Sequence, residues 1–314
     1  MATSHEARIG VCLISPGPAI RPLPVVLSAL PDELLSSWLS RHARFYGVSG
    51  MHILRHCGLD APSLRSLDFA LSPYDQRHLA HAFRCDPWSI RKMTQPRDGI
   101  HPAGLIATTR PMQMCRRCVS RHRATSATSG ALLRSWMEGW RIHCPVCGMA
   151  MQDARPLNLL TRVDPGHPLL AGVAVHARQG ELMMVNAVGR GRTSNPLAAL
   201  MRNLLLPRAS RPKEASYVGQ VPRLLDMVVP GFDRYLRYSH PDFRRPGNLL
   251  LPISIRIPVL AGVARVANRV EHWVDRLLGA TPESTWRDLA ACLQDLTGSS
   301  HSRGRSRNEV AGFV

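Results

Sequence analysis

Residues 115–148 read CRRCVSRHRATSATSGALLRSWMEGWRIHCPVCG. Two Cys-x-x-Cys pairs, Cys115/Cys118 and Cys144/Cys147, bracket 25 residues that hold two tryptophans and several arginines. Each Cys-x-x-Cys turn aims two sulfurs at one point, and two such turns supply the four soft ligands that suit tetrahedral zinc. In CPVCG, Pro145 and Gly148 tighten the second turn and let backbone amides face sulfur. A thioredoxin-like redox pair needs one Cys-x-x-Cys on a βαβ unit, and neither pair has that setting. The spacing therefore predicts a structural Zn2+ site. A shell of four thiolates leaves no position for water, which argues against hydrolytic chemistry there. His122 and His143 stand close enough in sequence to replace a sulfur, but are expected as hydrogen-bonding neighbours of the ligands or as surface residues. Leu132, Leu133, Trp136 and Trp140 are expected on the apolar side of the metal-closed loop. The two tryptophans, at i and i+4, should pack on the knuckles. Arg116, Arg117, Arg121, Arg123, Arg134 and Arg141 are left free to meet phosphate. Cys12, Cys57, Cys85 and Cys292 lack partner spacing and read as small apolar residues.

The chain as a whole is also strongly basic. Its 314 residues carry 40 Lys+Arg against 22 Asp+Glu, a formal charge of +18, and the sequence pI is about 10.9. Such a field favours polyanionic partners, nucleic acid above all. Lys92 and Lys213 are the two lysines; the remaining cations are arginine, whose planar fork suits phosphate. The apolar run IGVCLI is too short for a membrane segment, and LLLPISIRIPVLAGVARVA is interrupted by Pro252, Arg256, Pro258 and Arg265. A chain without a membrane or secretory segment is expected in the reducing cytoplasm, where disulfides do not last.

Upstream of the cysteines the pattern is helical. In LPDELLSSWLSRHARFYGVSG the residues Leu34, Leu35, Trp38, Leu39, His42, Phe45 and Tyr46 share one broad face. Asp32 is expected to cap this helix and Glu33 to complement its dipole. GVSG breaks it, and MHILRHC forms a second short helix stopped by Gly58. The design repeats over 72–93. Ser72 and Asp75 have capping-box spacing, Pro73 opens a helix, and a short turn leads to Asp86 and Pro87 at the start of another. These are two helix–turn–helix-like units, a pattern equally compatible with a plain helical bundle.

The expected fold class is mainly α. An extended arm (1–24) precedes a helix–turn–helix-containing domain (25–150) that ends in a four-cysteine, zinc-ribbon-like module (112–150). A linker or mixed region (151–220) contains the helix candidate NPLAALMRNLLL. A helical C-terminal region follows (221–297), with Trp273, Leu277 and Leu278 in its core and a final helix TPESTWRDLAACLQDL capped by Thr281 or Ser284. The tail at 298–314 is poor in core-forming residues and is expected to be mobile.

The order of these parts resembles the TniQ/TnsD family of transposition proteins. In that family a Pro-x-Glu-Ser-x-x-Ser-Trp/Tyr-Leu-x-Arg-like segment precedes helix–turn–helix elements and a zinc module. Pro31, Glu33, Ser37, Trp38, Leu39 and Arg41 match the opening, and Cys115, Cys118, Trp136, Trp140, Cys144, Pro145 and Gly148 match the metal segment. Cys147 stands where the family usually has histidine, Arg116 where it has proline, and Leu35 near where it tends to place serine. Sulfur can replace the histidine without loss of tetrahedral geometry. The resemblance covers residues 24–150. It implies a non-catalytic accessory role in target-site selection, linking a recognised target to a TnsC/TniB-like AAA+ transposition ATPase. The target is DNA read directly or through an RNA-guided CRISPR effector, and some members act as homodimers.

Two other readings stay open on the residues. A zinc-containing helix–turn–helix transcription regulator would use the same helices on a promoter. A nuclease would need clustered acids and histidines, for which HPDFRR and RVDPGHP are thin support. For DNA contact, Arg41, Arg44, Arg91 and Lys92 are expected on exposed sides of the helix pairs, with Arg116, Arg117, Arg121 and Arg123 beside the metal.

Overall fold

The computed structural model describes residues 20–95, 104–154, 166–189, 195–209, 222–243 and 249–308, with backbone only for 299–308. Most of the arm expected over 1–24, the basic stretches at 190–194 and 210–221, and the last residues of the tail lie outside the described residues. Within them the chain is mainly α: thirteen helices and one two-stranded antiparallel ribbon. No described helix is long and apolar enough to cross a membrane.

Five short helices build the first core: α1 (Leu35–Phe45), α2 (Gly50–His56), α3 (Leu67–Ala70), α4 (Pro73–Ala82) and α5 (Pro87–Lys92). Leu35, Trp38, Leu39, Leu54, Leu79, Phe83 and Ile90 meet inside it. The local signals at α4 and α5 act as their sequence predicts. The Ser72 hydroxyl accepts the Asp75 amide at 3.0 Å while the Asp75 carboxylate accepts the Ser72 amide at 3.1 Å. Asp86 accepts the Ser89 amide at 3.0 Å, and a proline opens each helix. Such caps contribute about 1 kcal/mol apiece.

The start of α1 departs from expectation. The helix begins at Leu35, and Asp32 is not its cap but sits in the left-handed region at φ 61°. Distant partners serve the first amides instead. Leu34 N–H donates to the Leu132 carbonyl, Leu35 N–H to Met93, and Ser36 N–H to the buried carboxylate of Asp68 at 2.9 Å. A tertiary cap removes the need for a local one.

The second, larger core belongs to α7 (Pro168–Gly189), α8 (Pro196–Leu204), α9 (Leu224–Val228), α10 (Phe232–Ser239), α11 (Ile253–Asn268), α12 (Val270–Gly279) and α13 (Glu283–Asn308). Helix α7 lies in the stretch expected as a linker. One stripe of it, Leu170, Val173, Ala177, Met184 and Val188, is buried in the core shared with α11, while apolar Val175 and Leu182 lie exposed. The two backbones meet at Gly180, where a Cβ would stand 2.1 Å from the Leu260 carbonyl oxygen. Helix α11 continues through Pro258, and α13 runs to Asn308, into the stretch expected as tail. Thr281 does not cap α13; its hydroxyl donates to the Leu277 carbonyl at the end of α12.

Candidate metal centre and the joints around it

The strand β1 (Gln113–Met114) pairs with β2 (Gln152–Asp153), and a separate antiparallel bridge joins His143 to Ala150 across the second knuckle. Cys115 stands just before α6 (Arg116–Arg123), with Cys118 in that helix's first turn. Across from it, Cys144 N–H donates to Met149 O at 2.8 Å and Gly148 N–H to Cys144 O at 2.9 Å. Gly148 takes φ 73°, a conformation glycine adopts without strain.

These turns converge four sulfurs. Cys115 and Cys147 lie 3.3 Å apart, Cys118 and Cys144 3.6 Å, Cys118 and Cys147 3.8 Å. All four ligand atoms fall within 4.8 Å of one another. A tetrahedron with metal–sulfur bonds of about 2.3 Å has edges of about 3.8 Å, so the set fits one ion. Leu133, Trp136 and Met151 seal it from the apolar side. Without a cation the thiols are poised unequally. Burial pushes Cys144 up to about 11 and Cys118 higher still. Cys147 also feels burial, but the Met149 amide and its sulfur neighbours bring it down to about 7. Binding a soft cation would replace those protons. Four cysteines that can hold a metal ion are thus gathered at one point.

Both histidines of the segment have other surroundings. His143 Nδ1 meets Glu181 Oε2 at 2.8 Å. His122 is buried near the ring of Trp136, 6.2 Å between centroids. The tryptophans do not share one face, because only Arg134–Met137 forms a single 3-10 turn. Trp136 packs on the knuckles, whereas Trp140 enters the core of α7–α13.

The opening motif serves as a joint to this module. Glu33 and Arg41 are both almost fully buried, and the guanidinium meets the carboxylate at 2.8 Å (Nε) and 2.6 Å (Nη2). Arg41 also donates to Ala127 O at 2.7 Å and Ser28 O at 2.8 Å. Ser37 donates to Glu33 at 3.0 Å and accepts the Leu132 amide at 2.8 Å. Trp38 Nε1 donates to Leu27 O, and His42 Nε2 accepts the Leu27 amide, each at 2.8 Å. Asp32 completes the seam by accepting the Ser135 amide at 3.0 Å and pairing with Arg134 at 3.3 Å. Arg41 therefore does not lie on an exposed side. A carboxylate eight residues earlier, brought over by the turn into α1, draws its side chain inward.

The other basic residues divide. Arg44, Lys92, Arg116, Arg117, Arg121 and Arg123 are exposed, and Arg91 is half-buried. Arg44 donates to the Ser129 carbonyl, and Lys92 sits 5.7 Å from the ring centre of exposed Trp88. The four arginines of α6 form a cationic face beside the sulfurs. Arg134 and Arg141 are not free for phosphate, because Glu138 holds Arg141 at 2.7 Å and Arg134 pairs with Asp32.

A second joint, absent from the sequence-based expectations, binds the module to the later helices. Glu181 of α7 is fully buried and accepts the amides of Ile142 and His143, both at 3.0 Å, one step before Cys144. Arg178 pairs with it at 2.6 Å. Arg256 of α11, also fully buried, donates to Gln113, Leu251 O and Arg141 O, the last at 2.6 Å. Burial pulls its pKa down to about 10, though Asp153 and Glu181 oppose this. Asp153 in turn caps α11 by accepting the Ile253 amide at 3.1 Å. One signal was available: Glu181 and Arg256 are charges set within otherwise apolar runs, ELMMVNAV and ISIRIPVL.

Residues 24–158 match the family model described as TniQ, a stretch that spans both the α1–α5 core and the cysteine module. No curated protein and no solved structure matches the chain.

Proposed function

Proceeding from the match to TniQ over residues 24–158, we propose that this protein is a non-catalytic accessory factor in transposition target-site selection, acting in the cytoplasm. Its role is to link target DNA, or a complex already bound to the target, to the AAA+ transposition ATPase. The observation that carries this reading is the build of the module within the matched region. A four-cysteine clip holds α6, with Arg116, Arg117, Arg121 and Arg123 outward, rigidly against the helix pairs through Glu33 and Arg41. The ion is Zn2+ by the donor set, since four thiolates at tetrahedral spacing suit it. Its chemistry is structural. It neutralises four sulfurs and closes the loop over 115–147, while the protein's own arginines face phosphate.

Co-purification tests the reading. The intact protein should retain an AAA+ transposition ATPase encoded beside an integrase-type transposase, and target DNA should strengthen that retention. No retention under either condition would overturn the proposal. An RNA-guided effector recovered in the same complex would assign target choice to that effector. Direct binding to one DNA sequence would assign it to this chain, and the mass of the complex reports whether it acts as a homodimer.

A further inference from the structure

Outside the TniQ match, the second core carries a cleft of about 510 Å3. That volume lies within the range of about 300–1,000 Å3 typical of small-ligand sites. Met227, Val228 and Pro230, from α9 and the turn after it, supply the apolar floor. Its wall and rim come from His176 of α7, Arg265 and Asn268 of α11, Arg269 at the corner, and His272 and Trp273 of α12. The corner arises because Arg269, at φ −145° and ψ 54°, breaks α11 from α12.

The charge of this cleft is one-sided. Its lining includes two arginines, two histidines and an asparagine, but no carboxylate. Half-buried Arg265 donates to Val228 O at 2.8 Å, which leaves its charge without a carboxylate partner among the described residues. The His176 Nδ1 is shielded from solvent and has no hydrogen-bond partner among the described residues. A desolvated polar nitrogen and an uncompensated guanidinium are costly unless a ligand completes them. Trp273 offers a half-buried planar surface, with the Arg276 guanidinium 5.9 Å from its ring centre.

We propose that this cleft binds a single nucleotide. Arg265, Arg269 and His272 take the phosphate, and Trp273 with the apolar floor takes the planar base. The shared chemistry, a phosphate ester carrying a base, comes either from a free nucleotide or from one unit of a DNA strand. None of these residues lies in the matched TniQ region, so this site stands or falls independently of the accessory role.

Calorimetry on the full chain with AMP, a short 5′-phosphorylated single-stranded DNA and inorganic phosphate tests it. AMP or the oligonucleotide should bind with one equivalent. Arg269→Glu removes a charge-assisted hydrogen bond to phosphate and should weaken that binding at least about tenfold. His272→Ala should weaken it less, and neither exposed substitution should move the ligand-free melting temperature. Tighter AMP identifies a free nucleotide; a tighter oligonucleotide identifies a strand. No saturable binding, equal affinity for inorganic phosphate, or binding indifferent to Arg269→Glu would each overturn the proposal.

Discussion

Arg41 and Glu33, eight residues apart across the entry to α1, form an ion pair at 2.6 Å that is almost wholly removed from solvent. The same guanidinium reaches the Ala127 carbonyl inside the loop that the metal module closes. One side chain therefore ties the helix pairs to the cysteine clip. Removing it would leave Glu33 as a buried, uncompensated charge.

Arg41→Ala should destabilise the protein by about 3–5 kcal/mol, the usual cost of breaking one side of a buried pair. Arg44→Ala, exposed in the same helix and losing only its hydrogen bond to the Ser129 carbonyl, should cost no more than about 1 kcal/mol. Denaturant midpoints of the two variants make the comparison. If Arg41→Ala kept its stability and weakened only DNA affinity, the joint would be misassigned.

Cys144→Ser should release the metal and unfold residues 115–148. The substitution takes a sulfur from the knuckle closed by the Gly148 amide, and metal binding is coupled to folding in such modules. Bound zinc measured by elemental analysis should fall from about one equivalent to near zero. Unchanged metal content would refute the four-cysteine ligand set.

On α6, converting Arg116, Arg117, Arg121 and Arg123 to Gln should flatten the salt dependence of DNA binding. Each phosphate interaction removed lowers the log–log slope by about 0.9. All four are exposed, so folding should be untouched. A slope identical to the parent's would remove α6 from the interface.

His42 makes stability fall on mild acidification. Burial lowers its pKa despite the Trp38 carbonyl, and neighbouring Arg41 adds to the effect. With Nδ1 donating to Trp38 O at 2.9 Å, Nε2 must stay unprotonated to accept the Leu27 amide. The unfolded chain takes up the proton near the ordinary histidine value of about 6.5, before the folded one does. Stability due to this group is therefore full above that value and is lost as pH falls below it. The denaturant midpoint should drop between pH 7.5 and 5.5, and less so in His42→Gln. Equal pH dependence in both proteins would exclude His42 as a source.

Gly180→Ala tests the helix crossing. The new methyl carbon would stand 2.1 Å from the Leu260 carbonyl oxygen, a backbone atom that cannot swing aside. A cost of about 3 kcal/mol is expected, at the upper end for overpacking. An unchanged melting temperature would mean that α7 and α11 do not meet there.

Local chemistry was legible wherever it acts over a few residues. The capping box at Ser72 and the prolines opening α4 and α5 needed only neighbours in sequence. The same holds for Gly58 after α2 and for the two Cys-x-x-Cys turns. The Asp32 cap failed because α1 takes its caps from Asp68, Met93 and Leu132, partners 32 to 98 residues away from those they serve. Helix α7 was missed for a related reason. Exposed apolar residues of α7 such as Val175 and Leu182 blur the period of its buried stripe.

What the sequence determined by itself is the four-sulfur donor set, the mainly helical character and the cationic balance, since residue type and short spacing suffice for each. Tertiary structure alone decided which charges are free. Arg41, Arg134, Arg141 and Arg256 are spent inside the molecule on Glu33, Asp32, Glu138 and backbone or amide oxygens, while the arginines of α6 remain exposed. In a low-dielectric interior a charge must be paired or hydrogen-bonded. Which charges end there depends on contacts between residues far apart in the chain.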